Sequence, residues 1–257
     1  MNKVRESSEV TSFYLSPVDS KSLPSFKPGQ YISVQTSVPA LKYMQSRQYS
    51  LSDAPNARYY RISVKKEPGI KGSDGEEYHP AYISNLLHDE RNIGDVLQVS
   101  HPYGEFYLDP EERSDTPIVL LSAGVGLTPM VSILNTLVQK PESSRRSISW
   151  VHATRSTEAQ AFGKYIQDTA KEHHNISTTV FNKNPAPQSV KGVDYDFQSR
   201  MDLEVVDKER LYLDSQAIYY ICGPSSFMTD VAEKLKGYGV AHDRINLEIF
   251  GTGMLTV

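Results

Sequence analysis

The sequence predicts a two-part protein of mixed class, β then α/β: a small antiparallel β-barrel followed by a doubly wound parallel sheet. Three observations predict it. The first part carries short strands of alternating polarity set between Pro/Gly turns. The second alternates apolar strands with helices of ten or more residues. Between them lies a polar stretch, Asp109-Pro110-Glu111-Glu112-Arg113-Ser114-Asp115. A chain of 257 residues accommodates two domains of roughly 100–150 residues, and the polar stretch divides it into 1–112 and 113–257.

Residues 29–36, Gly29-Gln30-Tyr31-Ile32-Ser33-Val34-Gln35-Thr36, alternate apolar and polar side chains as a half-buried strand does, and 58–66 repeat the pattern. Residues 66–80 hold three glycines and two prolines among charges and read as a surface loop. A short helix follows over 83–88, with Ser84 placed to cap its start. In the second part the pattern predicts strands at 118–121, 147–151, 176–181, 217–221 and 245–250, and helices at 128–138, 158–172 and 227–236. Met130, Ile133, Leu134 and Leu137 fall on one helical face. Trp150 reads as core.

Composition excludes several functions. The net charge is −4, which offers no basic face to nucleic acid. No run approaches the ~20 apolar residues of a membrane span, and the polar start, Met1-Asn2-Lys3-Val4-Arg5-Glu6, lacks the apolar core of a signal peptide. A reducing, cytoplasmic setting is the expectation. Cys222 is the single cysteine, so no internal disulfide, thiolate zinc site or iron–sulfur cluster is available. His173-His174 reads as a helix end, and His79, His88, His101 and His242 show no ligand spacing. No metal site is expected, and electron chemistry would need an organic cofactor or a partner's metal.

Three segments carry chemistry. Leu120 to Pro129 reads as strand, glycine turn and helix start, where Gly124 and Gly126 would let a pyrophosphate approach backbone N–H groups at the positive end of a helix. Taken alone, such a turn serves packing as readily as phosphate. Tyr219-Tyr220-Ile221-Cys222-Gly223-Pro224 is a second strand running into a turn, and Cys222 there reads equally as a small buried hydrophobe. Arg47-Gln48-Tyr49-Ser50-Leu51-Ser52 offers a phosphate-pairing fork, a flat aromatic and a hydroxyl donor. It also reads as an ordinary exposed strand.

In this order and at these separations, the three segments resemble the ferredoxin–NADP reductase superfamily, and within it the reductase portion of flavohaemoglobins, which are nitric oxide dioxygenases. The resemblance rests on Pro28-Gly29-Gln30-Tyr31, Arg47-Gln48-Tyr49-Ser50-Leu51, Ser84-Asn85-x-Leu87-His88, Ser122-Ala123-Gly124-Val125-Gly126, Cys222-Gly223-Pro224 and Glu248-x-Phe250-Gly251. It extends from about residue 3 to the end. It implies a six-stranded antiparallel FAD-binding barrel followed by an NAD(P)H-binding α/β domain.

It also implies roles. Arg47 would pair with the FAD pyrophosphate. Tyr49, next to Gln48, would lie against the isoalloxazine, and Ser50 would hydrogen-bond near flavin N5. Tyr31 would contact the nucleotide portion of the flavin, and Ser84 its diphosphate. Gly124, Val125, Gly126, Leu127, Thr128 and Pro129 would receive NADH or NADPH. Cys222, with Gly223 and Pro224, would approach the reacting nicotinamide carbon. Glu248 and Phe250 would stand at the other side of the flavin, the first as a charge and the second as a ring cover.

Two departures stand out. Ala81 occupies a position that is usually glycine in the relatives, and the haem-binding globin domain with which flavohaemoglobins begin has no counterpart in these 257 residues. The expectation is a FAD-dependent NAD(P)H reductase that passes electrons to a one-electron acceptor. A haem globin is the acceptor the resemblance implies. A free-standing reductase for a cytochrome, an oxygenase or a small acceptor is the alternative, and an inert flavin-binding regulatory module a further one. In the segment Val151 to Ser156, Arg155 and Ser156 could bind a 2′-phosphate, so the expectation is use of both NADH and NADPH.

Overall fold

The computed structural model describes residues 2–37, 44–67, 70–71, 77–79, 82–109, 115–213 and 215–249. The first part runs β1 (Asn2–Arg5), β2 (Val10–Leu15), β3 (Tyr31–Ser37), β4 (Met44–Ser50), β5 (Tyr60–Lys65), the short pair β6 (Ile70–Lys71) and β7 (Glu77–His79), helix α1 (Tyr82–Asp89) and β8 (Gln98–Val99). Six of these strands form two antiparallel sheets, β1-β2-β5 and β4-β3-β8, joined where Leu51 pairs with Ile62. Alternation explains β3, in which Ile32, Val34 and Thr36 are buried while Tyr31, Ser33 and Gln35 stay partly exposed. The inward side chains meet Phe13, Leu51, Ile62 and Leu87 in one apolar core.

Two local expectations change. Within the stretch read as loop, Ile70 pairs with His79 and Lys71 with Glu77, so its described residues form a small hairpin. Ser84 lies inside the first turn of α1 rather than ahead of it, because the helix already begins at Tyr82.

The second part contains β9 (Ile118–Ala123), α2 (Leu127–Val138), β10 (Ile148–Ser156), α3 (Gly163–Glu172), β11 (Ile176–Asn184), α4 (Lys208–Leu211), β12 (Ile218–Cys222), α5 (Ser225–Gly237) and β13 (Ile245–Glu248). Its sheet is parallel throughout, in the order β11-β10-β9-β12-β13. Both faces are covered, which is why β9 is apolar without break from Ile118 to Leu121. Ile118 and Leu120 pack with Met130, Ile133, Leu134 and Leu137 of α2. Val119 and Leu121, one residue out of step, pack with Met228, Val231 and Leu235 of α5 on the other face. The helix expected over 158–172 starts only at Gly163. Ahead of it Phe162 takes a left-handed conformation (φ 57°), and its ring lies 5.2 Å below the Arg61 guanidinium. No described helix is long and apolar enough to cross a membrane.

The two parts are joined through Asp53. Its carbonyl accepts from Ser132 Oγ of α2 at 2.7 Å, and its carboxylate from Asn135 Nδ2 at 2.7 Å and Tyr59 Oη at 2.9 Å. Arg61 lies 3.6 Å from the same carboxylate. A second contact stacks Phe106 edge-on to Tyr220, with ring centroids 5.4 Å apart. The boundary expected at 112/113 lies outside the described residues. Replacing Asp53 by Ala leaves the buried Asn135 donor and the half-buried Tyr59 hydroxyl without their acceptor, at a cost of about 3 kcal/mol. Urea unfolding of Asp53→Ala checks this, and an unchanged midpoint would show that the junction does not depend on the carboxylate.

Candidate cofactor-binding site

The carboxyl ends of β9 and β12 lie side by side where the strand order reverses, with β10 and β11 to one side of β9 and β12 and β13 to the other. Loops leaving such a point diverge and open a crevice. The loop after β9 is a tight 3₁₀ turn, Gly124–Gly126, running directly into α2. Its two glycines answer different demands. A Cβ on Gly126 would lie 2.2 Å from the Cys222 carbonyl oxygen and 2.5 Å from its carbon. Gly124 has φ +54°, and no described atom lies within 4 Å of where its Cβ would be. Gly126 thus lets the two strand ends touch, whereas Gly124 turns the chain and leaves open space above it.

A cleft of about 670 Å³ covers this point. Gly124, Val125, Gly126, Leu127, Gly223 and Pro224 line it, so the motifs after β9 and β12 share one wall. Thr128 and Pro129 are buried beneath, and Thr128 Oγ1 donates to the Val125 carbonyl at 3.1 Å, bracing the turn. No side chain caps α2. Cys222 is fully buried, beside Ser122 of β9 and Glu248 of β13 in the parallel register. Burial, and then the Glu248 charge, push its thiol well above the usual range, so it stays neutral.

The residues expected to hold the flavin follow one another along β4. Arg47 and Gln48 are exposed, Tyr49 is half-buried and Ser50 is buried. Among the described residues, the Arg47 guanidinium donates only to the neighbouring Ser46 carbonyl. Tyr49 Oη and Ser84 Oγ are 3.1 Å apart, and burial raises the Tyr49 phenol to about 12. Ser50 Oγ is buried without a hydrogen-bond partner. An isolated hydroxyl in that position costs roughly 1–3 kcal/mol, and an acceptor entering from the cofactor would relieve it.

Gln48 Nε2 reaches the hydroxyls of Tyr31 and Tyr103, each at 3.4 Å. The Tyr31 phenol is raised by burial, then by Tyr103 and the Glu248 charge, which sets Tyr31 toward the Glu248 end of the site. Glu248 is itself raised from 4.5 to about 7 by burial. Phe250 and Ala81 lie outside the described residues. Among those described, no group of three His, Cys, Asp or Glu side chains could hold a metal.

No signal in the sequence marks several other residues that line the cleft. Glu9, Lys65 and Glu67 come from the first part, and Lys183, Arg200 and Asp230 from the second. No motif links these residues; only the docking of the two parts brings them together. Arg155, expected near a 2′-phosphate, forms an ion pair with Glu9. His152, which lies inside a segment read for Arg155 and Ser156, is buried on β10 with Nδ1 2.9 Å from Ser122 Oγ.

The site is that of a two-part oxidoreductase in which a barrel stands beside a nucleotide-binding sheet. The profile of the family "Oxidoreductase NAD-binding domain" matches residues 120–233. A flavohemoprotein of Rhizobium meliloti (strain 1021) is 46% identical over 246 residues, covering 96% of this chain and 58% of its own length. The chain thus spans rather more than half the length of such relatives. The crystal structure of the flavohem-like FAD/NAD binding domain of nitric oxide dioxygenase from Vibrio cholerae superposes with a TM-score of 0.82 at 33% identity, covering 97% of this chain and 96% of that one. A flavohemoglobin from Malassezia yamatoensis with bound FAD and heme superposes with a TM-score of 0.75 at 25% identity, covering 97% of this chain and 58% of that one. The chain belongs to the ferredoxin–NADP reductase superfamily and, within it, to the reductase portion of flavohaemoglobins.

Gly126→Ala forces backbone against backbone and is expected to cost about 3 kcal/mol or more. Gly124→Ala meets only its left-handed φ, at about 1 kcal/mol. Denaturation midpoints of the two variants test this contrast, and equal losses would contradict it. Glu248 supplies a pH test. Its raised pKa means that the folded chain binds more protons than the unfolded one between pH 4.5 and about 7, so this residue's contribution to stability falls as pH rises through that window. Glu248→Gln should therefore melt higher than the parent at pH 8 and alongside it at pH 4. A parent that melts no lower at pH 8 would exclude the burial.

Proposed function

We propose that the chain is a FAD-dependent NAD(P)H reductase whose electrons go to a one-electron acceptor, a haem globin as in nitric oxide dioxygenase. The observation that carries this reading is the shared cleft, lined both by the turns after β9 and β12 and by residues of the barrel. Bound FAD would supply acceptance of an electron pair and its release one electron at a time. The protein's task is then chiefly positioning, which by itself accounts for a large part of such a rate.

Each residue has a part in that task. Gly124, Val125, Gly126 and Leu127 admit the dinucleotide pyrophosphate to backbone N–H groups, with Thr128 and Pro129 holding the turn. Arg47 pairs with the flavin diphosphate, and Ser84 steadies Tyr49 while offering its helix start to the same phosphates. Tyr49 remains a neutral phenol and presents a flat face. Ser50 donates its otherwise unpartnered hydroxyl to the flavin ring near N5. Cys222, being neutral and buried, acts by shape, setting with Gly223 and Pro224 how near the nicotinamide can come. Glu248, with a pKa of about 7, holds or releases a proton close to neutral pH. Tyr31 and Gln48 border the Glu248 end, and Phe250 is read as a ring cover. The reading includes both NADH and NADPH as donors and a reducing, cytoplasmic setting.

An anaerobic ultraviolet–visible titration tests it. The purified chain should show flavin bands and no haem band, and NADH should bleach the flavin. Absence of flavin, or flavin that NADH leaves oxidised, would sink the reading. Ser50→Ala should keep flavin but lower kcat/KM for ferricyanide reduction roughly 10- to 100-fold. A change under twofold would remove Ser50 from the chemistry.

A further inference from the structure

Arg155 is the penultimate residue of β10 and lines the cleft, with its side chain 70% exposed. Its partner Glu9 belongs to the other part of the molecule and is only 17% exposed. Glu9 is also held by its backbone. Its carbonyl accepts from the Lys66 amide at 2.7 Å, its own amide donates to Ser7 Oγ at 3.2 Å, and the adjoining Ser8 amide donates to the Glu158 carbonyl at 2.8 Å. The last of these bonds ties the Glu9 segment directly to the nucleotide-binding part. The carboxylate is therefore the fixed member of the pair, and the long arginine stem is the movable one.

We propose that Glu9 is a positioning residue for cofactor choice, which disfavours NADPH relative to NADH by holding Arg155. The proposal rests on reading the cleft as the dinucleotide site. NADPH differs from NADH by a 2′-phosphate on the adenosine ribose, a group that needs cations and is repelled by carboxylates. Arg155 stands at the carboxyl end of β10, the second strand of the nucleotide-binding part in chain order, where such a group is read, but its charge is already matched by Glu9. A phosphate approaching Arg155 approaches the Glu9 carboxylate as well. The free ribose hydroxyl of NADH carries no charge and meets no such opposition. Lys183 and Arg200 line the same cleft and make no ion pair among the described residues, so NADPH keeps some attraction. Glu9 thus tilts the preference without abolishing either cofactor.

The test uses the FAD-loaded chain and two readouts, Kd for NADP+ and NAD+ by calorimetry, and kcat/KM for NADPH and NADH with ferricyanide as acceptor. Glu9→Gln should shift both ratios toward the phosphorylated cofactor by about fivefold, the scale of one ion pair at a partly exposed site. In Glu9→Gln/Arg155→Ala that shift should vanish. Arg155→Ala alone, a change at an exposed side chain, should move the ratios the other way, since it leaves the carboxylate unopposed. Unchanged ratios in either single variant, or a shift that survives in the double variant, would overturn the role of Glu9 while leaving the reductase reading intact. A parent chain that binds neither nucleotide would overturn both.

Discussion

The Gly126 backbone lies against the Cys222–Gly223 peptide with no space for a single added carbon. This contact brings the carboxyl ends of β9 and β12 together and makes one site of two segments almost a hundred residues apart in the chain. Everything proposed for the dinucleotide follows from it. The turn after β9 can expose Gly124 and Val125 only because Gly126 sinks beneath them, and Cys222 is buried because that turn closes over it. A parallel sheet needs helical crossovers between neighbouring strands, so β9 and β12 could meet only through tertiary packing.

A second constraint links this site to the barrel. β4 ends at Ser50, Leu51 pairs with Ile62, and Asp53, three residues after Ser50, grips Ser132 and Asn135 of α2. The helix it grips is the one that follows the glycine turn. The proposed flavin strand and the proposed nucleotide turn are therefore joined by a short, doubly anchored route rather than by a flexible tether. Arg61 strengthens that route, lying near the Asp53 carboxylate and over the Phe162 ring at the start of α3.

Burial also sets the charge state of the site. Tyr49 and Cys222 remain neutral because the surrounding structure desolvates their charged forms. Glu248 is desolvated less completely, and burial pushes its carboxyl up to about 7. Arg47 keeps its guanidinium exposed at the surface of β4, where an anionic diphosphate can pair with it. A neutral interior beside one titrating carboxyl and one exposed cation suits a flavin, whose ring is apolar and whose diphosphate is charged.

Local pattern was sufficient for much of the fold. The alternation of Ile32, Val34 and Thr36, the helical face of Met130, Ile133, Leu134 and Leu137, and the glycine turn at Gly124 and Gly126 are short-range signals, and each element formed where its own residues dictate. Helix limits were less legible. Ser84 looks like a cap but lies inside its helix, and α3 begins late because Phe162 turns to pack beneath Arg61, a partner about a hundred residues away. The motif residues of the candidate site could be named from the sequence because they cluster in short runs. Glu9, Lys183 and Arg200 could not, since they are single charges with no mutual spacing. The sequence by itself determined the alternating strands and helices of the second part, several strands of the first and the runs of motif residues; the tertiary structure decided which charges line one cleft and that Arg155 is paired with Glu9. The physical reason is that burial and ion pairing depend on distances in space, which the docking of the two parts sets and local pattern does not encode.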